Sequence, residues 1–209
     1  MTGLLLIFSR KDVNGFPSTG MNSSSLFAGR FGNGGTKASL RLISLFLIIL
    51  NKWNVILQYA TEISIASKPS IDNRLQWMKP AANNFKLNMD GSRSYAGVIG
   101  AGGLIRNSSG VWIKGFTHSM GVGEIVEAEA WGLYIGLKLA LDLHIKRLEV
   151  ESDLAIVVNL INSGNIDSHP LGTLIANCRD MIQEFDFCSI HHIHREQNFA
   201  VDILANDGI

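Results

Sequence analysis

The feature that most constrains this chain is an ordered alternation that begins near Phe85. Phe85, Leu87 and Met89 alternate with Lys86, Asn88 and Asp90, the two-residue period of a half-buried strand. Gly91-Ser92 is expected to break it. Residues 101–106 and 111–117 read as two further strands, joined by the turn Asn107-Ser108-Ser109-Gly110 into a hairpin. Residues 124–143 are apolar around most of a helical surface, which predicts a well-buried helix. Residues 147–152 alternate again, and residues 154–162 form a short apolar helix with Gly164 just past its end. Pro170 suits a first helical position and opens a helix to about residue 185. A last strand spans residues 189–194, and Asn198 is expected to cap a helix over residues 199–206. The order β-β-β-α-β-α-α-β-α predicts an α/β fold. An antiparallel three-strand meander is joined by two parallel strands into a five-stranded mixed sheet flanked by helices.

The front of the chain is a different kind of polypeptide. The formal net charge is zero, but residues 1–76 carry eight Lys/Arg against three Asp/Glu, and residues 77–209 carry ten against fifteen. Residues 1–39 are rich in Gly, Ser, Asn and Thr and read as a loose leader. Their acid-poor, Arg-containing composition also fits an organelle transit peptide. Residues 40–76 read as an apolar helical segment and linker, ended by Lys68-Pro69-Ser70. The apolar run Leu4 to Phe8 is too short for a secretory signal, and Leu42 to Leu50 is too short for a bilayer that needs about 20 residues. Cys178 and Cys188 exclude a disulfide scaffold or thiolate cluster and fit a reduced intracellular setting.

Four acids fall where such a sheet converges. Asp90 ends the first strand on the face opposite Leu87 and Met89. Asp153 ends the fourth, which runs parallel to the first if its crossover is right-handed. Strand ends of that kind lie at the carboxyl edge where α/β sheets bind ligands. Glu129 sits in the first long helix and Asp202 in the last. Gathered carboxylates repel and raise one another's pKa unless cations relieve them. An all-oxygen site suits Mg²⁺ or Mn²⁺, and two such ions can activate a water and stabilise a leaving oxygen in phosphodiester hydrolysis.

Glu151 shares a strand face with Asp153 and reads as a solvated carboxylate. His191, His192 and His194 do not all share one face, which argues against a common zinc. Gly97, Gly100, Gly102 and Gly103 mimic a dinucleotide fingerprint but enter a strand. They read instead as sites of close backbone approach and turning.

From Trp77 to Gly208 the chain resembles the plant-type ribonuclease H domain of non-LTR retroelements. The segments that carry the resemblance are W77-M-K-P, F85-K-L-N-M-D-G-S, G100-A-G-G-L-I-R-N-S-S-G, A128-E-A-W-G-L, L148-E-V-E-S-D and H192-I-H-R-E-Q-N-F-A-V-D-I-L-A. The resemblance implies a ribonuclease H-like fold over residues 77–209 and metal-dependent hydrolysis of the RNA strand of RNA–DNA hybrids. It implies two Mg²⁺ ions, with Mn²⁺ as a substitute, on Asp90, Glu129, Asp153 and Asp202. His192 takes the place of the family's mobile histidine, and Gly91, Ser92 and Asn198 those of substrate contacts. The partner would be nucleic acid, with no membrane, and the protein a monomer in the nucleus, cytoplasm or an organelle.

Two departures from the family stand out. Leu154 follows the third acid where a Ser is common, and the connection from Ser163 to Pro170 lacks Lys and Arg where bacterial members carry a basic protrusion. A retroelement-derived module that binds nucleic acid, or serves as an interaction domain, without turnover is the alternative.

Overall fold

The computed structural model describes residues 5–9, 77–162 and 164–206. The apolar helical segment and linker expected over residues 40–76, and all of the leader except residues 5–9, lie outside the described residues. In chain order the elements are β1 (Leu5–Ser9), β2 (Phe85–Arg93), β3 (Val98–Arg106), β4 (Trp112–Val122), α1 (Ile125–Asp142), β5 (Arg147–Ser152), α2 (Ala155–Asn162), α3 (Gly172–Ile182), β6 (Phe187–His192) and α4 (Arg195–Asn206). They build one sheet of order β1-β4-β3-β2-β5-β6. β2, β3 and β4 form the antiparallel meander, and β5 and β6 join it in parallel. This is the mixed five-stranded sheet read from the sequence, with one addition. Leu5–Ser9, read as part of a loose leader, pairs antiparallel along β4 as an edge strand.

The local chemistry accounts for the turns. Asn107 Oδ1 accepts the N–H groups of Ser109 and Val111 at 3.0 and 2.9 Å, the side-chain mimic of a backbone turn that Asn forms readily. Gly110 supplies the positive φ that follows.

β2 departs from expectation in two ways. It does not break at Gly91-Ser92, since both residues stay in register with β3, opposite Ala101 and Gly100. Nor is it half-buried. Leu87 and Met89 face α1, where Gly136 and Gly132 lie against them. Lys86, Asn88 and Asp90 on the other face are 4%, 1% and 5% exposed. That polar face is covered because α4 packs on β2 and β3 and because the Trp77–Met78 segment lies over Lys86. Gly102 lets α4 come close: a Cβ there would stand 2.5 Å from the Ala205 nitrogen. Ser92 and Thr117 donate to the Ala205 and Leu204 carbonyls at 2.6 and 2.8 Å.

The helix starts also moved. α4 begins at Arg195, not after Asn198, because Gln197 Oε1 reaches back to accept the His194 N–H at 3.2 Å, half of a capping box. α3 begins at Gly172, not at Pro170. There His169 Nδ1 accepts the Leu171 N–H at 3.1 Å. On the α1 side the core is continuous through Leu133, Leu137, Leu148, Val150 and Ile175. Among the described residues no helix is long and apolar enough to cross a membrane.

Candidate metal centre

Adjacent parallel strands bring Asp90 and Asp153 together. β2 and β5 run in register from Phe85 opposite Leu148 to Asn88 opposite Glu151, so Asp90 and Asp153 lie just beyond the last paired residues. The third carboxylate comes from α1. Gly91 has no side chain to hold the helix off, and a Cβ there would stand 2.7 Å from the Glu129 nitrogen. Glu129 can therefore lie against the strand that bears Asp90. One oxygen from each of Asp90, Glu129 and Asp153 falls within 4.8 Å of the others.

The electrostatics of this triad are strained as it stands. Asp90 is 5% and Glu129 2% exposed, and they share a hydrogen bond. Burial, then the charge of Glu129, pushes Asp90 up to about 10. Burial likewise pushes Glu129 up to about 7, opposed by its hydrogen bonds to Asp90, Gly91 and Ser152. No Lys or Arg among the described residues pairs with any of the three. Three converging oxygen donors, two of them buried and none paired with a basic side chain, are the donor chemistry that hard divalent cations such as Mg²⁺ or Mn²⁺ satisfy. The residues fit such an ion.

The remaining residues singled out from sequence fall into three groups. Asp202 belongs to the same neighbourhood, since its charge acts on Asp90. It is not one of the three carboxylates gathered within 4.8 Å, and its Oδ1 is held by Arg195 at 2.6 Å. His192 stands exposed at the end of β6, with Nε2 3.1 Å from the Asp153 carbonyl oxygen. Gly91, Ser92 and Asn198 are built into the protein. Gly91 abuts α1, Ser92 holds α4, and Asn198 is 1% exposed. The Asn198 amide donates to the Met89 carbonyl at 2.9 Å and to Asp153 Oδ1 at 3.1 Å. As placed, Ser92 and Asn198 turn their polar atoms to protein.

Two supports were not read from the sequence. Ser152, 1% exposed, donates to Glu129 Oε2 at 3.2 Å and accepts the Leu154 N–H at 3.1 Å. It thereby steadies the start of α2 from a position before Asp153. Its signal was present, since Leu148, Val150 and Ser152 alternate onto one face. The second is a half-buried ionic layer around Lys86 and Asn88, on the face of β2 that also bears Asp90. Glu151 is not a solvated carboxylate, because it is ion-paired with Lys86 and accepts the Asn88 amide at 2.9 Å. Lys86 also lies 3.5 Å from Glu149. Trp77 closes the layer by donating to Asn88 Oδ1 at 2.8 Å, with the Arg106 guanidinium 4.2 Å from its ring centre. The Trp77 segment covers this layer, which periodicity within β2 alone could not reveal.

Comparison with known proteins agrees with this architecture. A family model described as reverse transcriptase-like matches residues 88–208. A protein of Arabidopsis thaliana that carries a ribonuclease H name is 36% identical over 141 residues. That match covers 67% of this chain but only 23% of the relative, so the chain spans about a quarter of that protein. Ribonuclease H1 of the halophilic archaeon Halobacterium salinarum superimposes with a TM-score of 0.57 at 22% identity, over 60% of this chain and 96% of that one. LC11 ribonuclease H1, solved in complex with an RNA/DNA hybrid, gives 0.55 at 22% identity, over the same shares. At such identities the structural likeness establishes the fold.

Proposed function

Because the chain belongs to the reverse transcriptase-like family and has its ribonuclease H-like fold, we propose that it is a metal-dependent endonuclease that hydrolyses the RNA strand of RNA–DNA hybrids. The observation that carries this reading is the triad Asp90, Glu129 and Asp153, whose oxygens converge within 4.8 Å with no Lys or Arg among the described residues paired with them. Those three residues would hold one divalent ion, and Asp202 would join them for a second. Bound there, Mg²⁺ or Mn²⁺ supplies Lewis-acid polarisation of a phosphodiester oxygen and lowers the pKa of a water.

The chain's own residues set up the rest. Asn198 fixes the rotamer of Asp153, Ser152 that of Glu129, and the Gly91 N–H donates to Asp90 Oδ1 at 2.9 Å. These hold the donors in a pre-organised geometry and spare the reaction the cost of arranging them. His192, exposed with Nε2 3.1 Å from the Asp153 carbonyl oxygen, would in this reading assist product departure or proton traffic. A relative solved on an RNA/DNA hybrid supports the choice of substrate class.

A second reading, a module that binds nucleic acid or serves as an interaction domain without turnover, is favoured by the basic, low-complexity front of the chain, with eight Lys/Arg against three Asp/Glu over residues 1–76. Residues 77–209, by contrast, carry a surplus of acids and no Lys or Arg between residues 163 and 170. Phosphate contacts supply most non-specific affinity, so grip on the hybrid should be weak and salt-sensitive in either case. The discriminating experiment offers the full chain and Mg²⁺ a labelled hybrid, duplex RNA and duplex DNA at low salt. Cleavage confined to the RNA of the hybrid, leaving 5′-phosphate ends, supports the nuclease. Binding without cleavage supports the module.

A further inference from the structure

Asp202 is the one acid of the four that already has a cation. Arg195, the first residue of α4, sits two helical turns before it, and the guanidinium reaches Asp202 Oδ1 at 2.6 Å. Asn206 approaches the other oxygen at 3.4 Å. Arg195 is 74% exposed and Asp202 22%, so the pair lies at the rim of the site, not in the core. The charges of Asp90 and Asp153 also act on this guanidinium, which places it within the field of the whole cluster. Among the described residues it is the only Lys or Arg side chain paired with any of the four acids. Helix stability does not explain it. A cation at a helix N-terminus stands at the wrong end of the macrodipole, and an exposed ion pair contributes little.

We propose that Arg195 is a resident counter-cation that a second divalent ion must displace from Asp202, so that ions enter this site in two steps of unequal affinity. The proposal rests on the metal-binding reading of the triad. The first ion meets three carboxylates with no cation among them. The second must break the Arg195–Asp202 pair, freeing a guanidinium that swings into solvent, and it does so against the repulsion of the first ion.

The test is Mn²⁺ binding by the full chain at low salt, followed by titration calorimetry and by the paramagnetic signal of free Mn²⁺, with no substrate present. Wild type should show a tight and a weak step. Arg195→Gln should tighten the weak step by about two- to fivefold, the size expected for removing one competing surface charge, and leave the tight step nearly unchanged. Arg195→Lys should fall between the two. Asp202→Asn should lose the weak step alone, and Asp90→Asn the tight one. A weak step unchanged or loosened in Arg195→Gln overturns the proposal while the tight step, still sensitive to Asp90→Asn, leaves the metal reading standing. Wild type with no Mn²⁺ binding that depends on Asp90 overturns both.

Discussion

Replacing Asp90 by Asn should make the metal-free protein more stable, although it removes a residue central to the site. In the folded chain Glu129 is held at about 7 instead of 4.5, and Asp90 higher still. Both values are raised on folding. The associated stability is therefore fully present below about pH 4 and is lost as the pH climbs through 7 toward 10. A carboxyl raised from 4.5 to about 7 weakens the folded state by about 3 kcal/mol once the pH exceeds both values. Asp90 carries a larger penalty of the same kind, because burial holds it at about 10 against 3.8. Asn is neutral whether folded or unfolded and so removes that penalty, and its amide N–H can replace the hydrogen bond by which Asp90 lowers Glu129.

Part of Asp90's own deficit should then be recovered at pH 8, on the order of 2–3 kcal/mol, or roughly 10 °C in Tm for a domain of this size. The assay is thermal unfolding in EDTA at pH 8 and at pH 5. At pH 5 the folded protein keeps protons on both residues and little more than one pH unit separates the solution from the unfolded Asp90 value of 3.8, so the advantage of Asp90→Asn should shrink to a minor part of its size at pH 8. Added Mg²⁺ should narrow the gap at pH 8 by stabilising wild type alone. An Asp90→Asn protein no more stable than wild type at pH 8, or equally favoured at both pH values, would refute the reasoning.

Gly91→Ala should push α1 off β2, because its Cβ would meet the Glu129 nitrogen at 2.7 Å. Chemical denaturation should show a loss of about 1–3 kcal/mol, with weaker Mn²⁺ binding alongside. Asn198→Ala strands the Met89 carbonyl and frees Asp153. A loss of about 1–3 kcal/mol is expected, together with slower hybrid cleavage at saturating Mg²⁺. Lys86→Met leaves Glu149 and Glu151 facing each other without their cation. It should cost about 3–5 kcal/mol in urea unfolding, whereas the double variant Lys86→Met with Glu151→Gln should recover part of it.

The strands and most helices were legible because periodicity encodes them directly. The alternation Leu87, Met89 against Lys86, Asn88, Asp90 located β2, and the apolar surface of residues 124–143 located α1 to within a residue or two. The acids were legible through spacing, and the structure brings Asp90, Glu129 and Asp153 together. What escaped depends on contacts remote in sequence. Whether Asn88 meets water or α4 is decided by Asn198, more than 100 residues downstream, and Lys86 is covered by the Trp77–Met78 segment, which precedes the strand. The role of Asn198 depends on Gln197 moving the helix start to Arg195, which turns Asn198 from a cap into a buried strut. The restraint on Asp202 needed the geometry of a seven-residue helical spacing and of a long, flexible side chain. Leu5–Ser9 gave no alternation of its own, and its strand exists through the free edge of β4.

The most direct test of the central claim is the rate at which the full chain releases fragments from a labelled RNA–DNA hybrid at low salt as Mg²⁺ is added. Asp90→Asn runs alongside, and excess EDTA closes the experiment. The account predicts a rate that rises with Mg²⁺, stops with EDTA and is absent in Asp90→Asn, although that variant is folded and, without metal, the more stable of the two. Cleavage that persists in EDTA, or equal rates for the two proteins, would contradict it.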